Sequence, residues 1–310
     1  DTAYESAISL SKKGINVEAI IDIREQSNSA FTVEAENLGI KIYRSHTVVD
    51  TEGYKRVNKI IIMELSKNGQ SFASSNKIIL DCDCLALAGG WTPAVHLFTQ
   101  SGGKLKFRDE DQVFIPNKYP SDQISIGSCN GDFELDDIIK NTIDVLKKFL
   151  DIEETSYDRL KIKCPKDREI RNIWLLPSDK VFGKTKSFVD YQNDATAKDI
   201  KLALREGFRS IEHVKRYTTT GMGTDQGKLG NMHALGIIAA TVGVKMGELG
   251  TTTFRPPYTP LTFGTIVGRN VGEYFDAFRR TPMNDWHIEH KAEFENVGQW
   301  KRAWYYPKNN

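Results

Sequence analysis

The sequence predicts an α/β protein: its first half is built from dinucleotide-binding units, and its second half holds a small all-helical module and the start of an α+β domain. Three observations lead to this prediction. The chain opens with a helical pattern and a buried strand that ends in an acidic residue, Asp22. A short apolar stretch passes through Gly127 into a long amphipathic helix. After Phe188, helical patterns alternate with a loop rich in threonine and glycine.

Composition and charge argue against nucleic-acid-binding and membrane-bound classes of protein. The 310 residues suffice for two or three domains, and 42 basic against 41 acidic residues leave a net charge of +1. We therefore expect no nucleic-acid partner and no membrane partner, and no apolar run reaches the ~20 residues that cross a bilayer. Four cysteines make no disulfide framework, which predicts a cytoplasmic, reducing location. Because the chain starts inside an αβ unit without Met, we interpret it as an internal piece of a longer protein.

Residues 1–66 are predicted to be part of an inserted nucleotide-binding domain. Ala3, Ala7 and Leu10 recur at helical spacing, and the strand that follows ends at Asp22. Rossmann units bind a ribose hydroxyl with an acid at this place, but the glycine-rich turn that should precede it is not in the sequence. A strand-end carboxylate facing solvent is the alternative. Residues 40–90 predict a β-meander with a turn at Asn68–Gly69.

Residues 67–150 are predicted to close a second nucleotide-binding domain. The apolar "QISI" predicts a strand, the loop Gly127–Gly131 follows it, and Ile139, Ile143, Leu146 and Leu150 line one face of the next helix. A helix N-terminus behind glycines offers backbone N–H groups to pyrophosphate. Residues 151–186, charged and interrupted by prolines, are predicted to be a connector with little core of its own.

Residues 187–250 are predicted to form a small helical module. Thr196 and Asp199 make a capping pair, a second helix carries Val214, and a third is expected to start at Thr224 or Asp225. The loop between the last two helices is rich in cations and hydroxyls. The residues that we expect to suit a flavin phosphate are Lys215, Arg216, Thr218, Thr219, Thr220 and Lys228. The alternative is a solvated helix face with a glycine turn.

The stretch "DIKLALREGFRSIEHVKRYTTTGMGTDQGK" resembles the [2Fe–2S] module of bacterioferritin-associated ferredoxin-like proteins. The resemblance implies that the four cysteine ligands of that module correspond here to Asp190, Gln192, Asp225 and Asn231. Iron–sulfur clusters need thiolate or occasionally imidazole ligands. We therefore expect the scaffold without its cluster, and we assign no metal ligand.

Blocks along the whole chain, including "AGGWTPAVHLFTQSGGKL", "SIEHVKRYTTTGMGTDQGK", "GTTTFRPPYTPLTFGTIVGR" and "VGQWKRAWYYP", resemble the α subunits of bacterial heterotetrameric sarcosine oxidases. The family oxidatively demethylates sarcosine to glycine, produces hydrogen peroxide and passes the methylene group to tetrahydrofolate. The resemblance implies β, γ and δ partner subunits, FAD in the β subunit, and FMN at the α–β interface, held covalently by β. Residues 251–310 would be a linker and the start of a folate-binding, aminomethyltransferase-like domain.

The same resemblance implies that the α subunit binds NAD in a disulfide-reductase-like domain. The residues that would contact NAD are Gly127, Ser128, Gly131, Phe133 and Leu135. Ser128 stands where the related fold usually has the Asp of a Gly-Asp pair. Most of the tetrahydrofolate site would lie outside this sequence, and we identify no catalytic residue within it because amine oxidation belongs to the β subunit.

Two other functions stay open from the sequence. The chain could be the equivalent subunit of another FAD- and FMN-dependent amine or opine dehydrogenase, or of hydrogen cyanide synthase, although those relatives usually keep the module's cysteines. It could also be a non-catalytic scaffold whose dinucleotide fold has lost its ligand, for which Ser128 is the argument.

Overall fold

The computed structural model describes residues 1–120, 122–151, 170–178, 180, 186–256, 259–269, 271–272 and 277–308. The helices are α1 Thr2–Lys12, α2 Ala30–Asn37, α3 His96–Gln100, α4 Leu135–Leu150, α5 Ala197–Arg205, α6 Ile211–Thr218, α7 Asn231–Val242, α8 Met246–Leu249, α9 Phe263–Val267 and α10 Asn284–Glu289. The strands are β1 Ala19–Asp22, β2 Lys41–Arg44, β3 His46–Gly53, β4 Val57–Glu64, β5 Ile78–Asp81, β6 Lys104–Arg108, β7 Val113–Lys118, β8 Phe188–Asp190, β9 Ala195–Thr196, β10 Arg279–Arg280, β11 Glu293–Val297 and β12 Trp300–Tyr305. The chain divides into two units, residues 1–259 and 260–310.

The first unit opens with the predicted helix and strand. Strands β1 and β2 pair in parallel, with α2 between them in sequence, which is the crossover arrangement of nucleotide-binding folds. The apolar face of α1 consists of Tyr4, Ala7 and Ile8, which are buried in one cluster with Ile20 of β1 and Ala35 of α2. This packing fixes the carboxyl end of β1, where Asp22 lies.

The meander predicted over residues 40–90 is present in part, as the antiparallel sheet β3–β4–β5, whereas Lys41–Arg44 (β2) pairs in parallel with β1 instead. Strands β6 and β7 form a separate antiparallel pair. The strand predicted for "QISI" is absent: residues 123–126 have no regular structure, and Gly127–Asn130 is a 3₁₀ turn. Residues 123–126 alternate polar and apolar side chains, but a run of this length is too short to distinguish a strand from a loop. The helix that follows is confirmed, from Leu135 to Leu150.

The helical module contains the largest buried core of the described residues. Its α5 begins with the predicted capping box, in which the Thr196 hydroxyl accepts from the Asp199 N–H and the Asp199 carboxylate accepts from the Thr196 N–H. Helices α5, α6 and α7 pack through buried residues that include Ile200, Val214 and Ile238. The start predicted for α7 is wrong: it begins at Asn231, because Gln226 and Gly227 have φ of 51° and 75°, which is incompatible with a helix.

The described part of the connector packs on this module. Trp174 and Leu175 contact its core, and a Cβ at Gly236 of α7 would overlap the Trp174 indole. Arg171 donates to the backbone oxygens of Ile23 and Ser66, both at 2.5 Å. Residues 170–175 therefore join the parallel β1–β2 region to the helical module, a role that charge and proline content did not reveal.

The second unit contains the sheet β10–β12–β11 and the helices α9 and α10. The pair β11–β12 is antiparallel, and β10 runs parallel to β12. Throughout the described part of the chain, none of the helices is long and apolar enough to cross a membrane.

Candidate functional site

A cavity of about 200 Å³ opens beside α6 of the helical module. It is lined by Glu212, Lys215, Arg216, Met222, Gln226 and Arg255. Helix α6 contributes the first three of these residues, because positions three and four apart lie on the same side of a helix. The following loop contributes Met222 and Gln226, and the extended segment after α8 contributes Arg255. Three cations and a single carboxylate thus surround one opening.

Hydrogen bonds connect the walls of this cavity. The Glu212 carboxylate accepts from the Thr253 N–H at 2.6 Å and from Arg216 Nη1 at 2.8 Å. The Lys215 ammonium lies 3.5 Å from the Thr253 carbonyl oxygen, at the limit of a hydrogen bond. Lys215 is 8% exposed. The glutamate is engaged by its own neighbours, whereas the lysine has a long contact with a neutral acceptor.

The charges of the cavity act on Lys215. Burial lowers the pKa of its ammonium, Glu212 opposes that effect, and Arg255 and Arg216 lower the pKa further. The pKa of Glu212 is lowered as well: burial would raise it, but the Thr253 N–H, Lys215 and Arg216 outweigh burial. The cavity therefore keeps an excess of positive charge, and an anion would relieve the mutual repulsion of its cations.

Only some of the residues predicted to suit a phosphate line this cavity. Lys215 and Arg216 line the cavity, whereas Thr218, Thr219, Thr220 and Lys228 are not among its lining residues. Thr218 donates to the Val214 carbonyl oxygen at 2.8 Å and shares a 2.8 Å hydrogen bond with Thr220. Thr219 is the left-handed residue that ends α6 and donates to the Thr218 carbonyl oxygen. These hydroxyls form hydrogen bonds within the helix end and the loop, because threonine hydroxyls readily bond to nearby backbone groups.

The four residues at the expected positions of cluster ligands all contact the loop after α6. Asp190 accepts from the Gly221 N–H, and Gln192 accepts from the Asp225 N–H. Asp225 accepts from the Gly227 N–H, and Asn231 donates to Gln226 and Thr252. The four positions named from the resemblance, which are up to 41 residues apart in sequence, thus each make a hydrogen bond with the backbone of this loop. Among the described residues no group of His, Cys, Asp or Glu could hold a metal ion.

The turn predicted to contact NAD lies apart from this cavity in sequence. Gly127 and Ser128 belong to the 3₁₀ turn, and Gly131 ends it at φ 86°. A Cβ at Gly131 would lie 2.7 Å from Ile115, so the turn packs closely on β7. Phe133 follows, and Leu135 is the first residue of α4, 54% exposed. Acidic residues Asp136 and Asp137 occupy the first turn of α4, which suits ribose hydroxyls better than phosphate oxygens.

Asp22, the acid at the end of β1, is held by its own chain. Its carboxylate accepts from the Tyr4 hydroxyl at 2.8 Å, from the Arg24 N–H at 2.9 Å and from Arg24 Nη2 at 2.8 Å. Asp22 is 7% exposed and Tyr4 is 1% exposed. Burial and the hydrogen bond to Asp22 raise the pKa of Tyr4 to about 12. A cavity of about 410 Å³ borders this cluster, but the carboxylate is already engaged by Tyr4 and Arg24.

Asp22→Asn should lower the free energy of unfolding by roughly 2–3 kcal/mol, because it breaks a buried carboxylate–guanidinium pair whose arginine keeps some access to water. Urea unfolding at pH 7 measures the change, with Asp83→Asn, at an exposed position, as the control. Equal stability of Asp22→Asn and the wild type would contradict a structural role for the carboxylate.

Sequence reasoning missed Glu212, Met222 and Gln226 as walls of the cavity. The spacing of Glu212, Lys215 and Arg216, at i, i+3 and i+4, is a signal that could have grouped the three charges on one helix face. Met222 and Gln226 carry no such signal, because their position depends on how the loop folds back.

The comparisons with known proteins agree with the resemblance stated above. Residues 184–269 match the family model described as "Sarcosine oxidase A3 domain". The chain is 36% identical over its whole length to the sarcosine oxidase α subunit of Corynebacterium sp. (strain P-1), and 34% identical over its whole length to that of Rhizobium meliloti (strain 1021). It spans about a third of these curated relatives, 32% and 30% of their lengths.

Two further similarities are weaker. An opine oxidase subunit from Rhizobium meliloti (strain 1021) is 34% identical, over 24% of this chain and 16% of its own length. The crystal structure of L-proline dehydrogenase from P. horikoshii covers 82% of this chain and 50% of its own, with a TM-score of 0.52 and 18% identity. This second likeness supports the α/β, dinucleotide-binding type of fold alone.

Proposed function

We propose that this chain is a segment of the α subunit of a sarcosine oxidase, a flavin-dependent oxidoreductase that demethylates sarcosine to glycine with oxygen as acceptor. The similarity along the whole chain carries the proposal, since it extends over both nucleotide-binding regions, the helical module and the second unit. The complete enzyme would produce hydrogen peroxide and 5,10-methylenetetrahydrofolate. Its β, γ and δ subunits would be the partners, with FAD and the amine-oxidising site in β.

Within this enzyme the cavity beside α6 would bind the phosphate of the FMN shared with the β subunit. Lys215 and Arg255 supply positive charge that Glu212 does not cancel, because its carboxylate is bonded to Thr253 and Arg216. A volume of about 200 Å³ accommodates a phosphate group and part of the ribityl chain. Bound there, the flavin would supply electron transfer, while the residues of this chain hold the phosphate and raise the affinity by charge-assisted hydrogen bonds.

The proposal for NAD rests on the turn from Gly127 to Gly131 and on the residues Phe133 and Leu135. Asp136 and Asp137 favour an orientation that brings a ribose, rather than the pyrophosphate, to the start of α4. Tetrahydrofolate would bind the domain that begins in residues 260–310, with most of its contacts supplied by sequence beyond this segment.

The alternative functions have less support. The match to opine oxidase is confined to 24% of the chain, whereas the sarcosine oxidase matches cover all of it. A scaffold without ligands gives no reason for a buried lysine whose pKa is lowered by burial and by two neighbouring arginines, against the opposing effect of Glu212.

The proposed activity is tested with the full-length chain co-expressed with its partner subunits. Sarcosine should yield peroxide and glycine in equal amounts, and added tetrahydrofolate should convert released formaldehyde to methylenetetrahydrofolate. Oxidation of an opine but not of sarcosine would favour the alternative dehydrogenase, and turnover of neither substrate by a flavin-free complex would favour the scaffold.

A further inference from the structure

The loop Thr219–Gly230 between α6 and α7 needs support from outside its own backbone. Thr219, Gly221, Gln226 and Gly227 have φ of 61°, 70°, 51° and 75°. Its backbone hydrogen bonds are short turns, such as Met222 N–H to the Thr219 carbonyl oxygen and Gln226 N–H to the Gly223 carbonyl oxygen. Such a loop keeps one shape only where side chains hold it.

Asp190, at the end of β8, fixes the first part of the loop. One carboxylate oxygen accepts from the Gly221 N–H at 2.7 Å, and the other accepts from the Gln192 and Asn193 N–H groups at 2.8 and 3.1 Å. Burial would raise the pKa of Asp190, but hydrogen bonds from Gly221 and Asn193 outweigh it and lower the pKa. The carboxylate is therefore ionised and fully engaged at neutral pH.

Asn231, the first residue of α7, fixes the second part. Its Nδ2 donates to the Gln226 carbonyl oxygen at 3.4 Å and to the Thr252 hydroxyl at 3.0 Å. The carboxamide oxygen lies so close to the loop that a Cβ at Gly221 would be 2.5 Å from it, and a Cβ at Gly227 would overlap it. Asn231 is 7% exposed and fills the space that these two glycines leave.

Asn231 also connects two walls of the anion cavity. Gln226, to which it donates, lines the cavity, and Thr252 precedes Thr253, the residue that contacts both Glu212 and Lys215. Arg255 follows two positions later and completes the lining. One carboxamide thus ties the loop wall to the wall that carries Arg255.

We infer that Asn231 is a positioning residue for the anion cavity, and that Asp190 assists it by fixing Gly221 at the opposite end of the loop. These polar side chains hold the cavity in a shape that accepts phosphate before the ligand arrives. The inference rests on the proposed function, since it names what prepares the proposed flavin-phosphate site.

The experiment uses the full-length chain assembled with its partner subunits, in which the β residue expected to link FMN has been replaced so that the flavin binds reversibly and can be removed. Asn231→Ala should raise the FMN concentration for half-maximal reconstitution about tenfold, the change expected from losing roughly 1.4 kcal/mol of prepared hydrogen bonding. Ile200→Val, in the core of the same module, is the matched control, because it lowers the Tm without touching the cavity. If Asn231 only stabilises the fold, both variants should need the same FMN concentration for half-maximal reconstitution as the wild type.

A Lys215→Met variant tests the proposed phosphate site separately from the positioning role of Asn231. If Lys215→Met weakens FMN binding while Asn231→Ala behaves like Ile200→Val, the inference about Asn231 is wrong and the proposed phosphate site stands. If neither Lys215→Met nor Asn231→Ala changes FMN binding, both are wrong. The inference is supported if Asn231→Ala weakens FMN binding and if adding Lys215→Met to that variant reduces the salt dependence of the binding that remains.

Discussion

In a flavin-depleted complex whose covalent link between the β subunit and FMN has been removed, Lys215→Met is expected to raise the half-saturating FMN concentration roughly 10–100-fold. This corresponds to a charge-assisted hydrogen bond of about 1.5–3 kcal/mol. Lys215 is buried and lines the cavity, with its ammonium 3.5 Å from the Thr253 carbonyl oxygen. The replacement keeps an unbranched side chain of similar length and removes the charge. It loses the attraction to Glu212 but removes the desolvation cost of a buried charge and the repulsion from Arg255 and Arg216, so we expect little change in the stability of the unliganded fold.

The matched control is Lys198→Met, which removes one positive charge from an exposed position on α5 of the same module. Fluorescence titration of the depleted complex with FMN, at two salt concentrations, measures both variants. We expect Lys198→Met to bind as the wild type does, and Lys215→Met to lose part of the salt dependence. Equal affinity of Lys215→Met and the wild type would show that the phosphate binds elsewhere.

Asp190→Ala is expected to lower the free energy of unfolding by roughly 3 kcal/mol, because the buried Gly221 N–H loses a charged acceptor and two further N–H groups lose theirs. The change should appear as a lower Tm of the full-length chain in its complex. Glu206→Ala, at an exposed position after α5, removes a carboxylate without buried partners and should leave the Tm nearly unchanged. A Tm for Asp190→Ala as high as that of Glu206→Ala would contradict the assigned contacts.

The pH dependence of unfolding gives the same carboxylate a second test. Because the folded-state pKa of Asp190 lies below its usual value of 3.8, its stabilising contribution is present above that pH and is lost as the pH falls through the folded-state pKa. The wild type should therefore lose more stability than Asp190→Ala when the pH is lowered from about 5 to below the usual value of 3.8. Parallel pH profiles would contradict the lowered pKa.

The sequence predicted those helices whose boundaries are set by residues close to one another in the chain. Thr196 and Asp199 identified the start of α5 because a capping box needs only two side chains three positions apart. The helix from Leu135 was equally accessible from its apolar face. The start of α7 was misplaced, since the left-handed conformations of Gln226 and Gly227 depend on Asn231 and not on their neighbours in sequence.

The candidate site was predictable only in part for the same reason. Lys215 and Arg216 stood out by their charge, whereas Arg255 joins them only through the fold of the segment after α8. That Thr218 and Thr220 would turn to each other could not be read from the sequence, because hydroxyl partners are chosen by the folded loop. The engagement of Asp22 by Tyr4 likewise needs the packing of α1 on β1, which brings together residues 18 positions apart.

A structure of the assembled complex with its flavin tests the central claim most directly. We expect an FMN phosphate oxygen within about 3 Å of Lys215 Nζ and a second within hydrogen-bonding distance of the Arg255 guanidinium. Asn231 should keep its contacts to Gln226 and Thr252 in that structure. A bound FMN whose phosphate contacts neither Lys215 nor Arg255 would contradict the account.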